Sequence, residues 1–135
     1  VYETGGIFKD GYTAIKRGKK FGIIDKTGKT ILPPKYIDII SFHEGFAVLT
    51  ENVGENFYDI YINKEFKQAF KKKFYNANEF SEGFAAVIVE TDGYFGYINT
   101  NGDFVVPPDK YDFARSFSDG VAVVQKNDKY GLITL

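Results

Sequence analysis

The chain has 135 residues, 44% of them apolar, enough for one ordinary domain with a core and too hydrophobic for a disordered polymer. Its 17 basic residues nearly cancel its 18 acidic ones, so no overall field draws it onto nucleic acid or an anionic bilayer. The lack of cysteine removes disulfides, thiolate metal sites and cysteine nucleophiles and leaves the redox compartment open. Apolar runs such as Phe84 to Val89 fall far short of the ~18 residues of a transmembrane helix, so a soluble segment without membrane insertion is expected.

In chain order, one motif recurs: Phe8-x-Asp10-Gly11, Phe42-x-Glu44-Gly45, Phe80-x-Glu82-Gly83 and Phe117-x-Asp119-Gly120, at intervals of 34, 38 and 37 residues. A period in the range of ~20 to 50 residues signals units that cannot bury their apolar faces alone and stack on their neighbours. The expected organisation is a single repeat domain over residues 1–135. It comprises a partial repeat (1–19), three full ones (20–56, 57–93 and 94–128) and a second partial one (129–135). With valine first and no methionine anywhere, the sequence reads as a piece of a longer chain.

Each unit opens with an aromatic-glycine pair in a short alternating run, which predicts a strand: Phe21-Gly22-Ile23-Ile24-Asp25, Phe95-Gly96-Tyr97-Ile98-Asn99 and Tyr130-Gly131-Leu132-Ile133. Glycine inside a strand points to a bulge or to a neighbouring backbone or ring close by. Lys26-Thr27-Gly28-Lys29 and Thr100-Asn101-Gly102-Asp103 supply the glycine that a hairpin turn requires. A second strand follows at Thr30-Ile31-Leu32 and Phe104-Val105-Val106. Pro33-Pro34 and Pro107-Pro108 are expected to end it, since proline cannot donate to a ladder. After Tyr36 and Tyr111 an irregular link leads to the motif, and the residues after each motif glycine form a third strand, as in Gly45-Phe46-Ala47-Val48-Leu49.

The fold class is therefore all-β: tandem repeats of about 35–38 residues, each a three-stranded antiparallel meander, in a curved open array or a propeller-like arc. The middle copy is degenerate. It has Asp59-Ile60 for the aromatic and glycine, Phe66 for the turn glycine and Lys71-Lys72 for the prolines, which puts its turn geometry in doubt. Phe66, Ala69, Phe70, Phe74 and Ala77 follow helical spacing, yet the gapless alignment of this stretch with Gly28 to Phe42 favours β or irregular structure.

Lys20-Phe21-Gly22-Ile23-Ile24-Asp25, then Pro33-Pro34-Lys35-Tyr36, then Phe42-His43-Glu44-Gly45-Phe46-Ala47-Val48 resemble the bacterial WG repeat, also called the KWG repeat, and the third copy matches nearly as well. The tryptophan of that family is replaced by Phe21, Phe95 and Tyr130. The resemblance implies an all-β repeat array of bacterial origin. It implies no catalytic residues and no particular ligand.

The recurring acids Asp10, Glu44, Glu82 and Asp119 suggest a carboxylate ladder. Stacked carboxylates can hold Ca²⁺, but one carboxylate per copy falls short of the ~6 to 8 oxygens that the ion takes, so a turn residue accepting nearby backbone amides is the preferred reading. His43 is the one histidine and is expected at the surface; without cysteine or a second histidine, zinc binding and the usual nucleophile and base pairs have no material. No catalytic residue, metal or cofactor is assigned.

Lys71, Lys72 and Lys73 lie among aromatics in the middle copy, a combination seen in single-strand binding and equally in the protection of exposed strand edges. The second is preferred, and nucleic acid is not the expected partner. Repeat-locked rings (Phe21, Tyr36, Phe42, Phe80, Phe95, Tyr111, Phe117) are expected in the core between units. Off-register tyrosines are taken as the better surface candidates. The candidate binding surface is Tyr58, Tyr61, Lys71, Lys72, Lys73, Tyr75, Tyr94 and Tyr97.

The expected role is non-catalytic: an extended surface for protein-protein interaction or scaffolding, as repeat arrays generally provide. The alternatives are a bacterial surface glycan module and a structural spacer assembling through its end strands. An extracytoplasmic or cell-surface setting in a bacterium is expected ahead of the cytoplasm.

Overall fold

The computed structural model describes the backbone of residues 3–9 and 11–135 and the side chains of residues 11–108 and 110–135. Asp10, first of the motif acids, lies outside the described residues. Strands β1 (Glu3–Lys9), β2 (Tyr12–Arg17), β3 (Lys20–Asp25), β4 (Thr30–His43), β5 (Phe46–Val53) and β6 (Asn56–Ile62) form a six-stranded sheet in chain order. Strands β7 (Asn76–Ala77), β8 (Phe84–Ile88), β9 (Phe95–Asn99) and β10 (Phe104–Tyr111) form a second sheet. A third consists of β11 (Phe113–Ala114), β12 (Ala122–Lys126) and β13 (Lys129–Ile133). All pairings are antiparallel, and no helix occurs among the described residues, so the helical spacing around Phe70 is coincidental.

The three-stranded meander is present in the first and third full units, the middle one keeps only isolated bridges in place of its second strand, and the link before the motif turn is itself paired. The link from Tyr36 to Phe42 is not irregular: β4 runs 14 residues, pairing with β3 through its first half and with β5 through its second. Nor do the prolines end the strand. Phe21 pairs with Tyr36 and Ile23 with Leu32, so Pro33, Pro34 and Lys35 bulge opposite the single residue Gly22. A bulge removes the demand for a donor there, which is how proline survives inside the strand. β10 does the same opposite Gly96 and takes one residue more, since Phe95 pairs with Tyr111 and Tyr97 with Val106.

Glycine is required in β3 and β9 because the bulge folds down onto it. A Cβ on Gly22 would lie 2.6 Å from the Leu32 carbonyl oxygen, and one on Gly96 would lie 2.5 Å from that of Pro107. The close backbone approach expected from the sequence is therefore found at both positions.

Consecutive units pack through three apolar clusters. Ala14, Ile23, Tyr36, Ala47, Leu49 and Ile60 meet in the first, Val48, Tyr61, Phe74, Phe80, Ala85 and Val87 in the second, and Ala86, Phe95, Tyr97, Phe117, Ala122 and Val124 in the third. The alternation of side chains along a strand explains the distribution, since Ala47 and Leu49 face the preceding unit while Val48 faces the following one. Both faces of an inner unit are thus core. Among the described residues, no buried polar side-chain atom lacks a hydrogen-bond partner.

Candidate functional site

The motif acids turn the chain and also join its units. Glu44 and Gly45 have φ of 53° and 90°, Glu82 and Gly83 of 55° and 85°, and Asp119 and Gly120 of 53° and 80°. Two consecutive positive φ values define a type I′ hairpin, which closes the pairs His43 with Phe46, Ser81 with Phe84 and Ser118 with Val121. The carboxylate accepts backbone amides, as expected, but those of the next unit. Glu44 takes the amides of Glu82 at 2.5 Å and Gly83 at 2.8 Å, and Glu82 takes that of Gly120 at 2.8 Å. In both cases the carboxylate of one motif turn accepts backbone N–H groups of the next, two at the Glu82–Gly83 turn and that of Gly120 in the turn after it. Among the described residues, no group of three or more His, Asp or Glu side chains gathers in an arrangement able to hold a metal ion.

Two of the tyrosines taken as surface candidates are core residues. Tyr61 and Tyr97 are almost fully buried, and their hydroxyls donate to the Asn78 carbonyl at 2.5 Å and the Arg115 carbonyl at 2.7 Å in the next unit. Burial pushes the Tyr61 phenol far above its ordinary pKa and Tyr97 up to about 12, so both remain donors. Their rings meet the motif phenylalanines at steep angles, Tyr61 with Phe80 at 5.2 Å and 58° and Tyr97 with Phe117 at 5.1 Å and 65°. The sequence carried a signal for this: both align with Ile23, an apolar residue of the same strand.

The remaining candidates lie on or near the surface. Tyr75 and Tyr94 are about half exposed, and Tyr58 is half-buried. The bridge between Asp59 and Phe74 makes Tyr58 and Tyr75 the next residues along the same pairing. The lysines diverge: Lys73 pairs with Glu51 at 2.8 Å, Lys72 lies 4.9 Å over the Phe104 ring, and Lys71 borders, with Gln68, Ala69 and Phe70, a depression of about 470 Å³. His43 is half exposed and reaches Glu79 of the next unit, Nε2 to carboxylate 2.8 Å.

The middle unit keeps its turn despite losing the glycine. Asn63 accepts the amides of Glu65 and Lys67 as Asn99 accepts those of Asn101 and Asp103 and Asp25 those of Thr27 and Lys29. Phe66 takes the left-handed conformation, φ 62°, that Gly28 and Gly102 take elsewhere. Its ring lies 4.6 Å from Tyr12 and 5.8 Å from Phe42. Asp59, in the place of the aromatic, accepts the Thr50 hydroxyl at 2.6 Å and the Ala77 amide at 2.8 Å, and burial raises its pKa against those two bonds. Asp25 is held below the usual carboxylate range, chiefly by the Thr27 hydroxyl.

The family model for the WG containing repeat matches residues 21–52, 61–90 and 95–130. The chain belongs to the WG repeat family. The middle match begins directly after Asp59-Ile60, the pair that departs from the repeat. No curated protein and no solved structure matches this WG repeat chain.

Sequence reasoning missed the tip of the β5–β6 hairpin. The motif glycine stands 10 residues before the start of the next aromatic-glycine position in Gly11 to Phe21 and in Gly120 to Tyr130, 12 in Gly83 to Phe95, and 14 in Gly45 to Asp59, which replaces the aromatic. The surplus extends the hairpin by the pairs Asn52 with Phe57 and Val53 with Asn56, carrying Val53 and Phe57 outward, each about half exposed. The uneven repeat interval was the available signal.

Proposed function

We propose that this WG repeat chain is a non-catalytic module that docks another protein, centred on the β5–β6 tip. The extended hairpin with apolar residues at its end carries this reading. A well-packed unit gains nothing internally from exposing Val53 and Phe57 on the two faces of a protruding hairpin end, whereas aromatic and aliphatic anchors are what protein interfaces use. Tyr75 lies on the same unit, and the Glu51–Lys73 pair supplies a polar border.

A photo-crosslinking residue in place of Phe57, in the full-length protein and its own cells, is expected to trap a discrete protein adduct that the same group at Lys29 does not. Val53→Ser should reduce the adduct. No adduct at position 57, or the same adducts at both positions, overturns the reading.

Glycan binding has one observation in its favour: half-exposed Tyr94 borders, with Glu90, Thr91 and Asp92, a depression of about 330 Å³. An exposed ring beside carboxylates suits a sugar face and its hydroxyls. Binding on a glycan array that Tyr94→Ala abolishes supports it, and an array without hits removes it.

A further inference from the structure

The segment opposite β6 lacks the protection that its neighbours have. In the first and third full units this stretch carries Pro33-Pro34 and Pro107-Pro108, which have no N–H to offer an incoming strand. The middle unit, packed against a unit on each side, has Lys71 and Lys72 there and Ile60 in place of the strand glycine. Between the bridges Ile62 to Gln68 and Asp59 to Phe74 the segment runs without a ladder. Among the described residues, no backbone hydrogen bond takes up the N–H of Lys71, Lys72 or Lys73. Three consecutive donors on exposed residues thus stand where the neighbours carry prolines.

The same stretch concentrates positive charge. Residues 63–75 hold five lysines against one acid, Glu65, whereas residues 76–105 hold five acids and no basic residue. Lys73 pairs with Glu51 and Lys72 lies over Phe104, but Lys71 is in no ion pair among the described residues. With exposed Gln68 it borders the depression of about 470 Å³ that half-buried Ala69 and Phe70 complete. The Gln68 amide donates to the Phe70 carbonyl at 2.7 Å, which fixes that wall. Gln68 pairs with Ile62, the far end of β6 from the hairpin tip, about 20 Å along the strand.

We propose that the Gln68–Lys73 edge of the middle unit binds a short acidic segment of a partner protein, at a site separate from the hairpin tip. An apolar side chain of that segment enters the depression against Ala69 and Phe70, and its carboxylates meet Lys71 and the lysines beside it. Its backbone carbonyls accept the N–H groups that proline withholds in the other units. Lysines that guard an open edge against neutral and basic strands select an acidic one. A nucleic-acid strand fits less well. Phe70 packs against Phe46, Tyr61 and Phe80 at 5.4, 5.6 and 6.2 Å, so the depression has no ring free to stack a base.

Fluorescence anisotropy of a labelled Glu-Glu-Leu-Glu-Glu peptide with the 135-residue protein at low salt tests this. Saturable binding is expected that weakens as salt is raised and that a Lys-Lys-Leu-Lys-Lys peptide does not show. Lys71→Glu, at an exposed position, should weaken it about tenfold, and glycine in place of the peptide's leucine should also weaken it. Lys71→Pro combined with Lys72→Pro removes two donors and should reduce binding where circular dichroism shows the fold intact. No binding up to millimolar peptide overturns the proposal. So does binding that Lys71→Glu or the loss of leucine leaves unchanged, or tighter binding of a short oligothymidylate, which marks a single-strand site. These outcomes are independent of the crosslink at position 57, which reports on the other end of β6.

Discussion

The middle and third units solve one packing problem in two ways. In the third, Gly96 lets the Pro107-Pro108 bulge settle on the strand backbone, and β10 pairs with β9 past the bulge to Tyr111. In the middle unit Ile60 occupies that space with a buried side chain, and the opposing segment keeps only the bridges Asp59 to Phe74 and Ile62 to Gln68. The lost ladder is replaced by side-chain contacts: the Asp59 carboxylate ties Thr50 to Ala77, and Phe70 packs on Tyr61 and Phe46. A repeat can therefore lose its signature residues and keep its place in the stack, provided the contacts to its neighbours survive.

The largest expected effect breaks the third unit's solution. Gly96→Ala places a Cβ against backbone that has no flexible side chain to move, and we expect a loss of about 3 kcal/mol in urea denaturation. Gly131→Ala, chemically the same change on an uncovered strand, should cost well under 1 kcal/mol as a β-strand substitution. Equal losses at the two positions contradict the close-approach argument.

Asp59→Asn tests the middle unit's substitute. The amide keeps one acceptor and loses the second, which should cost about 1 kcal/mol at neutral pH. The folded pKa of Asp59 is raised, so the folded state binds more protons than the unfolded state between the ordinary value of 3.8 and the raised one. The contribution of this group is fully present below 3.8 and is lost as pH rises through the folded pKa. Wild type should therefore gain on Asp59→Asn as the pH falls through that window, measured by denaturant melts at stepped pH. A difference that shrinks on acidification contradicts the assignment.

Glu44→Ala removes two inter-unit hydrogen bonds, and we expect about 1 kcal/mol, with somewhat less for Glu82→Ala. Hydrogen exchange at the amides of Gly83 and Gly120 respectively should quicken, each in its own variant only. The smallest effect sharpens the turn comparison. Phe66→Gly relieves a left-handed conformation costing about 1–2 kcal/mol and forfeits the ring contacts with Tyr12 and Phe42, so the net change should lie within about 1 kcal/mol of zero. A loss much above that makes the ring contacts dominant.

Much of this fold was legible in particular residues. The turns at Gly28 and Gly102, the crowded glycines of β3 and β9 and the turn at the motif all follow from backbone chemistry that only glycine, or an acid-glycine pair, accommodates readily. The prolines misled because a local rule about donors says nothing of a bulge opposite glycine. Tyr61 and Tyr97 misled because they lie outside the repeat-locked ring positions, and here units stand on both sides of their strands. Of the candidate surface, Tyr75, Tyr94, Lys71, Lys72 and Lys73 were identifiable as surface side chains; Val53 and Phe57 were concealed in a difference of repeat length.

By itself the sequence determined the period, the all-β class, the family and the sites of sharp turning, because these depend on neighbours close along the chain. Only the tertiary structure decided that the motif carboxylate caps the turn 38 residues ahead and that both faces of an inner unit are dry. Those facts depend on which unit stands beside which, and a side chain's burial depends on what covers it.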